Sequence, residues 1–393
     1  MRPSYFYPQL LGADHGLVVD SDGYRWSSRR PPECWAVRGE TRHDEDANSL
    51  DELARLESRK LQALPPDQFV SSLRTISGDR PMWRYALPQA AYRSFVDRLV
   101  SDATSFLESA DTGYYSGCWL PHRRVFSSMA RMAAPDPGLF SAETDWDASS
   151  FRPRGGYCDR LVYDRFGTRT GRLTVASGPS VLTLRKDLRK FLRSRRGDSG
   201  VLLQVDFSAL EVRLLAADVS KHVPVGDPYQ ELADELGMDR RSAKLALIST
   251  TYGSSDRGLA SSLGVDLAAA RRVIEAIHRS HGVEAQVSRL RAEHSRLGYV
   301  RNRYGRRVET PDASDGLLLN SYLQSTGVDV ALWGFLQVID RIPEGHGAPV
   351  ALIHDAMVLD VSRDLADRIG ADLSVTVPGY DGKFPLKVEP LNV

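Results

Sequence analysis

From Tyr92 onward, apolar residues recur at Phe95, Val96, Leu99, Val100, Ala103, Phe106 and Leu107, the 3.6-residue period of one helix face. A looser leucine series (Leu50, Leu53, Leu56, Leu61, Leu64) predicts a helix over 48–64. The first 47 residues are otherwise rich in Pro, Gly, Arg and aromatics, with one short strand expected at Gly16–Asp20. A Pro-, Gly- and Asp-rich stretch from Pro135 to Gly156 reads as a boundary. Beyond it the pattern predicts a strand at Leu161–Tyr163, a Gly-rich turn and a strand at Val201–Phe207. Helices are expected over 209–218, 229–236 and 240–252, then two longer ones over 266–279 and 283–296. A hairpin-like segment (Gly298–Val308) comes next, followed by a helix over 316–340, a strand–turn–strand around His354-Asp355 and a closing strand at Pro385–Glu389. Strands separated in sequence by a helical block predict an α+β fold: an antiparallel sheet with an inserted helical subdomain.

The length of 393 residues allows two or three subdomains. Hydrophobic and charged fractions of 42% and 26% are those of an ordinary globular protein. Three widely spaced cysteines, Cys34, Cys118 and Cys158, suggest neither a disulfide frame nor a zinc site, and a reducing cytosol is the expected home. No run approaches the ~18 apolar residues of a membrane span, and Met1-Arg-Pro-Ser-Tyr-Phe-Tyr7 has no signal-peptide core. Formal net charge is zero, but between Arg185 and Asp198 seven basic residues face two acidic ones. Such a run is commonly a solvated face. Its place just before an acidic strand end points toward phosphate.

Two acids stand out because of their surroundings. Val201-Leu-Leu-Gln-Val-Asp206 is an apolar strand ending in a carboxylate, and Asp355 follows Pro349-Val-Ala-Leu-Ile353-His354 and precedes Met357-Val-Leu359. A carboxylate in an apolar setting is costly unless it is paired or holds a cation. On adjacent strands the two could hold two Mg²⁺ ions, or Mn²⁺ in their place, about 3.5–4 Å apart. Either acid alone would pass for an ordinary strand-end residue.

A third feature is cationic. Asp239 is a candidate N-cap for a helix from Arg240 to Tyr252, in which Arg240, Lys244, Ile248 and Tyr252 share a face. Cations in a first helical turn oppose the helix dipole, so Arg240, Arg241 and Lys244 are more easily explained by an anion at that end, and a triphosphate fits. The alternative is a basic surface helix closed by Gly253. In Ser208-x-x-Glu211 the glutamate could complete a capping box for the helix that follows.

The segments Asp206-Phe-Ser-Ala-Leu-Glu211-Val-Arg213, Arg240-x3-Lys244-x7-Tyr252-Gly253 and His354-Asp355, in that order, resemble motifs A, B and C of the family-A (Pol I-like) DNA polymerases over roughly residues 160–393. The resemblance implies a right-hand polymerase, with an antiparallel palm sheet split by inserted helical fingers and a helical thumb. The divisions would be an N-terminal segment of unknown role (1–75), a thumb-like region (76–150), palm (151–225), fingers (226–296) and palm again (297–393). It implies template-directed addition of deoxynucleotides to a primer 3′ end, with primer–template DNA and dNTPs as partners, no membrane and a monomer. Asp206, Asp355 and Phe207 would form the metal site, with Asp206, Asp355 and Lys244 catalytic. Arg240, Lys244, Ile248, Tyr252, Glu211, Phe207 and Tyr229 would meet the nucleotide. Glu211 would be the steric gate that excludes a 2′-hydroxyl, and with Arg213 it favours deoxynucleotides. The Thr168-Arg-Thr-Gly171-Arg172-Leu173 element places Thr170 and Arg172 against the duplex; Arg213, Asn320, Gln324 and His354 complete the DNA contacts.

The chain also departs from that pattern. Ala356 stands where the family has glutamate, and Asp360, five residues on from Asp355, falls on the opposite strand face. Two metal carboxylates are therefore expected. Ile248 and Ser249 are closer to single-subunit phage-type RNA polymerases, so an RNA polymerase or primase-like enzyme is the second reading and a weak primer–template-binding scaffold the third. Asp227-Pro-Tyr229 replaces an Asp-x-His and is a form common in phage polymerases, consistent with a phage or mobile-element origin. Asp20-x-Asp22 hints at a metal site, but residues 1–150 do not match a proofreading exonuclease, and none is expected.

Overall fold

The short apolar segments near the start of the chain pair with one another. In the computed structural model, which describes residues 1–39, 48–59, 82–141, 146–220, 222–311, 314–369 and 373–391, Ser4–Phe6 (β1), Gly16–Asp20 (β2), Gly23–Ser27 (β3) and Trp35–Val37 (β4) form one sheet. Its order is β3-β2-β1-β4, with β1 antiparallel to β2 and parallel to β4. The Asp20-x-Asp22 pair belongs to the β2–β3 turn. Asp20 Oδ1 accepts the Asp22 amide at 3.0 Å, and its other oxygen takes the Arg25 guanidinium. This is turn chemistry and not a cation site. The predicted 48–64 helix spans Leu50–Leu56 (α1), capped by Ser49; Leu61 and Leu64 lie outside the described residues. The strong 3.6-residue pattern becomes Gln89–Ser109 (α2), with Phe95, Leu99, Ala103 and Leu107 buried.

The chain divides into two units, Met1–Pro121 and His122–Val393. The division does not fall in the Pro/Gly-rich stretch: Leu139, Phe151 and Cys158 are buried in the core of the second unit. Proline and glycine interrupt regular structure there without preventing burial.

In the second unit a hairpin of Val162–Asp164 (β5) and Thr174–Ser177 (β6) precedes Gly200–Phe207 (β7). Leu203, Val205 and Phe207 are buried on one face of β7, while Gln204 and Asp206 are half-exposed on the other, as strand alternation requires. The helices that follow are Leu210–Ser220 (α3), Pro228–Leu236 (α4), Arg240–Thr251 (α5), Asp256–Leu263 (α6), Leu267–Ser280 (α7) and Val283–Leu297 (α8). The short α6 was not apparent in the apolar pattern; Ser255 caps it, accepting the Gly258 amide at 3.2 Å. Helices α4 to α7 share a separate core containing Leu232, Ala243, Leu247, Leu259, Val273 and Ile277.

A small hairpin, Val300–Arg301 (β8) with Arg307–Val308 (β9), leads into Asp315–Asp340 (α9), which lies against the buried face of the sheet. There Phe207 meets Phe335 with ring centroids 5.9 Å apart, and a Cβ on Gly334 would come within 2.4 Å of the Phe207 ring. Gly347–Ile353 (β10), Ala356–Ser362 (β11), Ser374–Val375 (β12) and Phe384–Pro390 (β13) complete a sheet of order β10-β11-β7-β13-β12, antiparallel throughout. This is the predicted α+β arrangement, with the helical block inserted between β7 and the later strands. Where α5 ends, Gly253 (φ +77°) meets the start of α9: a Cβ there would lie 2.8 Å from the Gly316 Cα. Only glycine permits both that φ and that approach.

Candidate active site

Strand register sets the position of the two acids. Asp206 pairs with Ala356 on β11 and with Lys387 on β13. His354 and Asp355 form the two-residue turn between β10 and β11, with His354 at φ 58°, and the Phe207 amide donates to the Asp355 carbonyl at 3.3 Å. Asp206 is pushed up to about 6, first by burial and then by the charges of Asp355 and Glu389. Burial likewise raises Asp355, offset by its own backbone hydrogen bond and by the nearby His354, Arg172 and Lys244 side chains. Neither acid makes an ion pair among the described residues. Two half-buried, mutually repelling carboxylates form an all-oxygen donor set, which fits a hard divalent cation.

A cleft of about 870 Å³, partly open to solvent, lies in front of them. Asp206, Phe207, Glu211, Tyr229, Lys244, Ile248, Tyr252, Asp355 and Arg172 all line it. It thus gathers residues from β7, the β10–β11 turn, α3, α4 and α5 together with the loop before β6. Asp239 caps α5 as predicted, accepting the amides of Arg241 (2.9 Å) and Ser242 (3.1 Å). Tyr229 is 7% exposed, and above its ring lie the Arg240 guanidinium and the Lys244 ammonium, each 5.5 Å from the centroid. Arg240 Nε donates to Asp227 at 2.6 Å. Burial, with the nearby Glu211 carboxylate, pushes the Tyr229 hydroxyl up to about 12.

Glu211 is held from both sides and does not serve as a capping box. Its Oε2 accepts the Tyr252 hydroxyl at 2.5 Å and its Oε1 accepts Arg172 Nη2 at 3.3 Å. Burial raises its carboxyl, and these two contacts oppose the rise. An adjoining hollow of about 540 Å³ shares Arg172, Leu210, Glu211 and Asp355 and adds Gln324 and His354. Gly171 (φ +80°) makes the turn that presents Arg172; a Cβ there would lie 2.6 Å from the Arg306 guanidinium carbon. Thr170 sits half-buried in the same turn. On α9, Asn320 Oδ1 is buried with no hydrogen-bond partner among the described residues.

Arg213 corrects the sequence expectation. It is 2% exposed, and its guanidinium donates to the carbonyls of Ser208 (2.7 Å), Pro224 and Gly226 (2.7 Å). It ties the loop before α4 to the end of β7 and cannot meet nucleic acid from there. Asp360 corrects the expected opposite face: it pairs with Leu202, four residues along from the Asp206–Ala356 pair and on the same side of the sheet. It is kept out by that distance and by its own contacts, being 3% exposed and accepting Ser194 Oγ and the Arg195 amide. The basic run is not one phosphate-facing surface. Arg185 pairs with Asp187, Arg193 with Asp136, and Arg196 donates to Gly345 O. Arg189, not singled out within that run, instead donates to Gln204 at 2.8 Å, in the field of Asp206.

Comparison with known proteins adds the family. A model described as DNA polymerase family A matches residues 161–390. The DNA polymerase of Mycobacterium phage L5 is 29% identical over 233 residues, covering 56% of this chain and 38% of the phage protein. DNA polymerase I of Pseudomonas aeruginosa is 28% identical over 264 residues, covering 59% of this chain and 29% of that protein. The matched part is thus about a third of each relative's length. In fold, the chain is similar to the POL domain of Pol1 from M. smegmatis, solved in complex with DNA primer-template and dNTP. The TM-score is 0.59 at 14% identity, over 99% of this chain and 94% of that one. Among the described residues no helix is long and apolar enough to cross a membrane.

Proposed function

The chain belongs to DNA polymerase family A, and from that premise we propose that it extends a primer 3′ end with deoxynucleotides on a template strand. One observation carries the reading: a single cleft collects Asp206, Asp355, Lys244, Glu211 and Tyr252 from separate elements. In this reading the sheet (151–225 and 297–393) is the palm, the helical block 226–296 the fingers and 76–150 a thumb-like region. Primer–template DNA and dNTPs are the partners, and the protein acts as a monomer.

Asp206 and Asp355, with the Phe207 backbone between them, would hold divalent ions, two Mg²⁺ or Mn²⁺. When bound, these supply Lewis-acid stabilisation of the attacking and leaving oxygens. The primer 3′-hydroxyl gives up its proton to water as its oxygen bonds to the α-phosphorus, the bond from that phosphorus to the α,β-bridging oxygen breaks, and pyrophosphate departs. Lys244 faces that departure. Its ammonium is close enough to influence Asp355, and in this reading it gives a proton to the pyrophosphate. Arg240 takes phosphate oxygens. Tyr252 and Ile248 bound the base-pairing side, and Tyr229 supports the nucleotide. Glu211, fixed between Arg172 and Tyr252, presents a braced wall to the sugar, and a braced wall discriminates a 2′-hydroxyl better than a loose one. Arg172, Thr170, Gln324, Asn320 and His354 would track the duplex.

Ile248 in the cleft wall keeps one alternative alive, a ribonucleotide polymerase or primase-like enzyme. Primer extension on an undamaged template, with dNTPs and rNTPs in parallel, decides. Deoxynucleotide preference supports the reading. Equal use of ribonucleotides removes the gate, and no extension with divalent cation present rejects the polymerase assignment.

A further inference from the structure

Asp227 uses its two oxygens differently. Oδ1 accepts the amides of Tyr229 (3.0 Å) and Gln230 (3.4 Å), capping α4. Oδ2 accepts Arg240 Nε from the first turn of α5 at 2.6 Å. Burial would raise the Asp227 carboxyl, but the Arg240 and Tyr229 contacts outweigh it and hold it below its ordinary range. The pair is about half exposed, and such pairs contribute little to stability. A carboxylate beside a triphosphate also repels it. Stability alone therefore gives poor grounds for an acid at this place.

Geometry gives better ones. The bond to Asp227 uses only the Nε–H, and no other hydrogen bond of the Arg240 side chain occurs among the described residues. The guanidinium rests above the Tyr229 ring, with Lys244 over the same ring one turn further along α5. A guanidinium fixed at Nε keeps its two terminal nitrogens as a planar fork, the form that binds phosphate bidentately.

We infer that Asp227 is a positioning residue for triphosphate recognition: it anchors Arg240 through Nε, so that the Nη pair faces the phosphates. The inference rests on the nucleotide reading of the cleft. Its function requires an arginine, since a lysine has one cationic head and cannot be anchored and present a fork at once.

The test uses the full chain with primer–template and dATP opposite a templating T. It measures KM and kcat, dATP affinity on a dideoxy-terminated primer, primer–template Kd and Tm. Asp227→Ser keeps a good N-cap but has no second oxygen for Arg240. Asp227→Ser should raise KM and dATP Kd about tenfold, the scale of one charge-assisted hydrogen bond. The kcat, primer–template Kd and Tm should stay within about twofold or a degree or two of wild type. Arg240→Lys should match it, and the double variant should be no worse than the poorer single. A Ser variant with wild-type dATP affinity, or fully additive losses in the double variant, overturns the anchor. Asp227→Asn keeps the cap on its one oxygen but turns an NH₂ toward Arg240, so it should lose dATP affinity as Asp227→Ser does; an Asn variant with wild-type dATP affinity and unchanged Tm reduces Asp227 to a helix cap. If the wild type neither binds nor extends dATP, the nucleotide reading itself fails. Wild-type extension with an indifferent Asp227→Ser rejects only the anchor.

Discussion

The cleft has two walls, and they are built on different plans. The sheet wall places Asp206 and Asp355 by backbone register and leaves their charge without an ion pair among the described residues. On the helical wall and at the sugar position, side chains brace side chains: Asp227 holds Arg240, Tyr229 lies beneath two cations, and Tyr252 and Arg172 grip Glu211. The first wall carries an unmet demand for a cation. The second has most of its charges satisfied beforehand, so its task is to aim them.

Mutations can set the two walls against each other. Removing a sheet carboxylate should do most harm to turnover: Asp206→Asn or Asp355→Asn should lower primer extension by about a thousandfold or more, with an unchanged fold by circular dichroism. A smaller loss near extension by wild type would show that the carboxylates do not carry the chemistry. On the opposite wall, Lys244→Ala should cut the single-turnover rate by about a hundredfold, the scale of one general acid, while primer–template Kd holds. Weakened duplex binding would move Lys244 to the DNA. Glu211→Ala should reduce discrimination against ribonucleotides by about tenfold, roughly one charge-assisted contact. Unchanged sugar selectivity would remove its gate role.

The smallest effect is one of pH. Burial and the Asp355 charge keep Asp206 protonated up to about 6. The raised folded-state value means that the metal-free fold loses stability as pH rises from the ordinary carboxylate range to about 6, and the loss is complete above it. A divalent cation competes with that proton. Its gain in Tm should therefore be larger at about pH 7.5 than at about pH 5, and Asp206→Asn should abolish the difference. An equal gain at both pH values would place the cation elsewhere.

What the sequence revealed follows the same split. Residues whose position depends on local periodicity were legible: α2 from its apolar stripe, α5 from Asp239 and the four-residue spacing, and Asp206 from the apolar strand before it. Asp360 was set aside for the wrong reason: alternation from Ala356 puts it on the Asp206 face, and its distance along β11 and its bonds to Ser194 and Arg195 are what remove it. Residues whose role depends on a distant partner were not legible. Arg213 looked like a surface cation beside a catalytic segment, because nothing local reveals three carbonyls converging on it. The division at Pro121 was hidden too, since composition registers loops and not the burial of Leu139 and Phe151. The Asp227–Arg240 bond joins residues 13 positions apart on two helices, and no period connects them.

The close approach of Gly253 and Gly316 is one place where α5 is held. Backbone touches backbone at the C-terminal end, with no side chain to wedge between them, while Arg240 stands at the other end of 12 residues. At 1.5 Å per residue that is a lever of roughly 18 Å, and a tilt of about 10° about the glycine bearing would carry the guanidinium about 3 Å. A small rotation at a silent pair of glycines would become atomic-scale travel where the phosphates would sit.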